Sequence, residues 1–91
     1  MYRYSFYQVA RKLNLEIGRN TIFKILIEKG FIDKDHIPQQ NLVDAGYLEY
    51  EHEVKYLKNS SRKIKYVMLY ATKDGLEWLR GVLQENLIAA G

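Results

Sequence analysis

The chain has 91 residues, 47% hydrophobic and 27% charged, the balance of a single soluble globular domain spanning 1–91. That excludes a disordered tail, and it excludes large enzyme scaffolds such as a (β/α)8 barrel, which needs about 250 residues. The net charge is only +3, and the absence of cysteine removes disulfides, thiolate metal sites and cysteine nucleophiles. The first element in chain order is a predicted helix over Ser5–Asn14. Ser5 and Gln8 have the spacing of a capping box, and Phe6, Val9, Ala10 and Leu13 form a helical apolar stripe. A short connection ending in Gly18 leads to a second helix, running from Arg19 or Asn20 to Lys29, with Asn20 as its expected N-cap. Gly30 stands where a helix C′ residue belongs, with Phe31 after it. Two short helices joined by a tight turn containing glycine have the helix-turn-helix arrangement.

Phe31 and Ile32 read as a short extended segment, Asp33–His36 as polar loop, and Gln39–Asp44 as a short helical turn before Gly46. Two strands follow, Leu48–Tyr56 and Ile64–Tyr70, each alternating with period two. The Asn and Ser residues between them favour a turn, which makes the pair a β-hairpin. A last helix starts at Thr72 as N-cap, with Leu76, Leu79, Val82 and Leu83 along its apolar stripe. Phe6, Leu13, Phe23, Leu26 and Trp78 are expected in the core. So are Tyr50, Tyr56, Tyr66 and Tyr70, through their strand alternation. The order helix, turn, helix, loop, hairpin, helix predicts an α+β fold, a small winged helix-turn-helix domain.

Charge is segregated along the chain. From Val54 to Lys73 there is no acidic residue, while Lys55, Lys58, Arg62, Lys63, Lys65 and Lys73 all fall there. Glu49, Glu51 and Glu53 stand just before it. On the second helix Arg19, Asn20, Thr21 and Lys24 form a polar face. In a helix-turn-helix the N-terminal residues of that helix reach base edges in the major groove. Arg pairs with guanine and Asn with adenine. The plain alternative is a solvated helix face. Lys55, Lys58, Arg62, Lys63 and Lys65 suit a wing that holds phosphates. Their plain alternative is a charged edge that blocks strand aggregation, with some lysines paired to the three glutamates.

No catalytic constellation is legible. Ser5, Ser60 and Ser61 lack a nucleophile-elbow context, there is no glycine-rich phosphate loop, and His36 and His52 show no metal-ligand spacing. No cofactor is expected, the longest apolar run is far too short to span a bilayer, and the first twelve residues carry no apolar signal core.

The blocks Gln8–Leu15, Gly18–Leu26, Glu28-Lys29-Gly30, Pro38-Gln39-Gln40, Val43–Leu48 and Ala71–Leu79 together resemble the KilAC domain of phage antirepressor proteins. The resemblance implies a DNA-binding regulator of phage or prophage genes. On this reading the recognition helix lies near 19–29, the hairpin 55–65 sits on phosphates, the partner is double-stranded DNA, and the compartment is the cytoplasm of a bacterial host. The competing implication is a protein-interaction module that contacts a phage repressor. An enzyme is not expected.

Overall fold

The capping box read from Ser5 and Gln8 is present in the computed structural model, which describes residues 3–58 and 61–90. The Gln8 amide donates to Ser5 Oγ at 3.3 Å, and the Ser5 amide donates to Gln8 Oε1 at 3.0 Å. This closes the start of α1 (Phe6–Leu13). Ahead of it lies β1 (Arg3–Ser5), a strand that the sequence pattern does not predict. There follow α2 (Arg19–Glu28), α3 (Gln40–Asp44), β2 (Leu48–Tyr56), β3 (Lys63–Thr72) and α4 (Lys73–Ala90). Among the described residues the fold is α+β: four helices and a three-stranded antiparallel sheet in the order β1-β3-β2.

The N-cap of α2 is Gly18, not Asn20. Gly18 enters the helix from extended backbone with no side-chain cap, and its carbonyl accepts from the Ile22 amide at 3.2 Å. Asn20 therefore lies inside the first turn, exposed. The far end of α2 closes as expected. The Gly30 amide donates to the Ile27 carbonyl and the Phe31 amide to the Leu26 carbonyl, a Schellman pair that uses the positive φ of Gly30 (+78°). Gly46 and Tyr47 repeat the same pair of bonds onto Val43 and Leu42 at the end of α3.

The core joins Val9 and Leu13 of α1, Ile22 and Leu26 of α2, Leu48 and Leu69 of the sheet, and Leu79 and Leu83 of α4. Phe6 is buried as expected. Phe23 and Trp78 are only half-buried, at the edge of the core. Phe23 stacks between Phe6 (4.9 Å) and His36 (4.2 Å), while Trp78 stacks on Tyr47 at 5.6 Å.

Register assigns the faces of the sheet. Leu48 pairs with Ala71, Tyr50 with Leu69 and Val54 with Lys65. Even-numbered residues of β2 thus share the helix-covered side with odd-numbered residues of β3. Tyr50 and Tyr70 are half-buried, but Tyr56 is 64% and Tyr66 41% exposed, against the expectation of core. Tyr56 is on the helix-covered side, but there the hairpin outruns the body that would cover it, in a molecule 47 Å long and 28 × 23 Å across, whereas Tyr66, opposite Glu53, lies on the outer face.

The outer face carries Glu49, Glu51 and Glu53. Arg3 of β1 holds two of the three, 2.8 Å from Glu51 and 3.9 Å from Glu49, with its guanidinium 4.0 Å from the centre of the Tyr70 ring. The hairpin lysines thus leave Glu51 to Arg3. The shared hydrogen bond raises the Arg3 pKa and lowers that of Glu51. A carboxylate held below its ordinary range adds stability at pH above its unfolded pKa, and that contribution is lost as pH falls through the folded pKa. Arg3→Ala should move the Glu51 carboxyl titration upward, as followed by NMR. An unmoved Glu51 titration would refute the pairing.

Candidate nucleic-acid interface

Burial of Ile22, Ile25 and Leu26 turns the opposite side of α2 to solvent, where Asn20 and Lys24 are exposed with Thr21 at the flank; Arg19, one turn before Ile22, is exposed at the helix start. Between the start of α2 and α1, Arg19, Asn20 and Thr21 line a shallow depression of about 350 Å³ with Tyr7 and Arg11. Asn20 also borders a second depression, of about 430 Å³, with Phe23, Lys24, Ile27, Glu28 and His36. His36 in turn borders a third, of about 380 Å³, with Lys34, Asp35, His52, Lys65 and Val67. The three follow one another. Asn20 joins the first to the second, and His36 joins the second to the third, which ends on the hairpin.

His36 is held in place by the loop between α2 and α3. Asp33 Oδ1 accepts from the amides of Asp35 (2.8 Å) and Ile37 (3.0 Å), and the Asp33 carbonyl accepts from the His36 amide at 2.9 Å. His36 takes a positive φ of 68°, and its ring lies on Phe23. Ile32 and Pro38 bridge across the base of the loop, and Gln39 Nε2 donates to the Gly30 carbonyl. Arg11, Lys34, His36 and His52 were not among the residues expected at the site. The loop has no apolar period, and only the Asp at its start hints at the turn chemistry that presents Lys34 and His36.

On the hairpin, register puts Lys63 and Lys65 on the helix-covered side, opposite Tyr56 and Val54. Lys63 Nζ lies 5.5 Å from the centre of the Tyr56 ring. Lys55, expected in the wing with them, instead falls on the other face, beside Glu53, because its odd position in β2 points it away from the helices. Lys58 and Arg62 are exposed where the strands give way to the tip, beyond the three depressions. Asn59 and Ser60, the centre of the expected turn, lie outside the described residues. Shared lining residues therefore link Arg19, Asn20 and Thr21, by way of Lys24 and His36, to Lys65, along a run that also includes Glu28 and Asp35. Lys63 stands next to it, and Lys58 and Arg62 extend it toward the tip. The acidic strand residues occupy the opposite face of the sheet.

Among the described residues no group of three His, Asp or Glu side chains is placed to hold a metal ion, and no helix is long and apolar enough to cross a membrane.

The family described as phage antirepressor protein KilAC domain matches residues 2–86. The chain belongs to that family. No curated protein and no solved structure matches it. The match spans every described element, from β1 into α4, and gives this KilAC domain a regulatory role in phage biology.

Proposed function

We propose that this KilAC domain binds double-stranded DNA as a winged helix-turn-helix regulator of phage or prophage genes, in the cytoplasm of the bacterial host. The start of α2 enters the major groove with Arg19, Asn20, Thr21 and Lys24, and the β2–β3 hairpin lies on phosphates through Lys58, Arg62, Lys63 and Lys65. The observation that carries this reading is the run of depressions linked by Asn20 and His36, which joins the exposed side of α2 to Lys65 of the hairpin. The sheet supports it by segregation, because the β2 glutamates lie on the far face, Glu49 and Glu51 paired with Arg3, and the acidic residues that line the depressions are Glu28 and Asp35.

Duplex binding measured across a salt series tests it. Lys63→Ala with Lys65→Ala should weaken all duplexes alike and flatten the log–log salt slope by roughly one for each phosphate no longer neutralised. Asn20→Ala with Lys24→Ala should instead lower discrimination between a preferred site and random DNA by about 1–3 kcal/mol for each base edge no longer read. Because Gly18 rather than Asn20 caps α2, this change should leave folding intact. Absence of duplex binding at low salt, where the phosphate interaction is strongest, would reject the proposal.

A second reading rests on the exposed apolar side chains of the hairpin, Val54, Tyr56, Ile64 and Tyr66, which suit contact with a protein such as a phage repressor. Tight repressor binding by a preparation that ignores DNA would support it.

A further inference from the structure

In the sheet order β1-β3-β2, strand β2 is an edge along its whole length. Two bonds show how its backbone is turned. The Leu57 amide donates to the Arg62 carbonyl at 3.1 Å, and the Thr72 amide donates to the Tyr47 carbonyl at 3.1 Å. Both pairs continue the β2–β3 register at its two ends. In an antiparallel ladder, directly opposed residues alternate between bonded and non-bonded pairs. Odd-numbered residues of β2 therefore bond to β3, and Tyr50, His52, Val54 and Tyr56 direct their N–H and C=O groups away from it. Among the described residues none of these four has another backbone partner across the open edge.

The open edge is long and partly apolar, with Val54 47% exposed. Its charges choose among ways of pairing it with itself. In a two-fold antiparallel pair of β2 strands centred on Glu51, His52 or Glu53, glutamates face each other. Centred on Lys55, two lysines do. Centred on Val54, Glu53 of each copy lies opposite Lys55 of the other, twice by symmetry, and no like charges are opposed. That register also suits the backbone. Val54 meets its own copy as a bonded pair, His52 and Tyr56 exchange bonds, and the Glu53–Lys55 pairs fall at non-bonded positions, where side chains approach most closely. Within one chain Glu53 and Lys55 lie opposite Tyr66 and Ile64, and neither makes an ion pair among the described residues. The strands run in opposite directions, so each helical body lies past the end of the other's hairpin.

We propose that two copies of this domain associate through β2 in the register centred on Val54, forming a continuous six-stranded sheet. The two-fold axis is then perpendicular to the sheet, and both α2 helices face the same side. The proposal does not require DNA, so its test is run without it.

The mass of the purified chain is followed by light scattering or sedimentation over a concentration series. The expected result is a rise from 10.8 kDa toward 2 × 10.8 = 21.6 kDa. Lys55→Glu alone and Glu53→Lys alone oppose like charges at both pairs, and each should weaken association about tenfold or more. An equimolar mixture of the two single variants should associate again, because every 53–55 pair is then of opposite sign. The double exchange should also associate. Amide exchange should slow with concentration at Tyr50, His52, Val54 and Tyr56, but not at the intervening odd residues. A chain monomeric at all concentrations overturns the proposal. So do single variants that associate like the native chain, or a mixture that fails to recover.

Discussion

Gly75→Ala should destabilise the domain by about 3 kcal/mol or more, at or beyond the upper end of the usual cost of overpacking. Gly75 lies in the first turn of α4, and a Cβ there would sit 1.9 Å from the Tyr47 carbonyl oxygen and 2.9 Å from its carbon. Both atoms are backbone, so no side chain can swing aside. The same carbonyl accepts from the Thr72 amide at 3.1 Å and lies 3.3 Å from Thr72 Oγ1, which also caps α4 by accepting from the Gly75 amide at 2.9 Å. Making room would separate the start of α4 from the lead into β2, and with it the stack of Tyr47 on Trp78. The gain in helix propensity of Ala over Gly, about 1 kcal/mol, works in the opposite direction and is too small to cancel this. Gly81→Ala in the same helix is the control: nothing lies within 4 Å, so it should stabilise by up to about 1 kcal/mol. Urea midpoints measure both. A Gly75→Ala loss below about 1 kcal/mol would mean that α4 can slide without consequence, contrary to this packing.

The Gly75 contact shows where sequence reasoning stopped. Thr72 was legible as an N-cap because the cap and the amide it satisfies are three residues apart. The reason for glycine at 75 was not, because the obstructing carbonyl belongs to another element. The same division runs through the fold. The capping box at Ser5, the Schellman glycine at 30, the α3 turn and the bounds of β2 all depend on neighbours in sequence, and the structure has them. β1 was invisible because three residues carry no period, and its partner strand is near the other end of the chain. β3 is apolar on both faces from Met68 onward, so only its register with β2 reveals that Leu69 and Ala71, rather than Met68 and Tyr70, enter the core. At the candidate site, the α2 residues followed from helical period. The contribution of Lys34 and His36 depends on a turn built around Asp33, and on the stacking of His36 against a helix thirteen residues earlier in the chain.

Leu26→Ala should cost about 2–5 kcal/mol, the range for truncating a fully buried leucine where the surroundings cannot collapse. Leu26 is 0% exposed. Its carbonyl also anchors the Schellman turn by accepting from the Phe31 amide at 2.9 Å, so the helix end has little freedom to close over the vacated volume. A domain of this length holds roughly 5–14 kcal/mol in total, so the single change removes a substantial part of it. Ile27 is the matched control. It is one residue further along the same helix, 37% exposed and lining the depression beside Lys24, so Ile27→Ala should cost well under half as much. Phe23→Ala should fall between them, since its ring is half-buried but stacked on Phe6 and His36. The order Leu26, Phe23, Ile27 in denaturant midpoints is what the orientation of α2 requires. A larger loss for Ile27 than for Leu26 would mean that α2 is rotated about its axis, and Asn20 and Lys24 would then no longer face outward together. The stability series therefore also checks the geometry on which the DNA reading rests, and it does so without DNA.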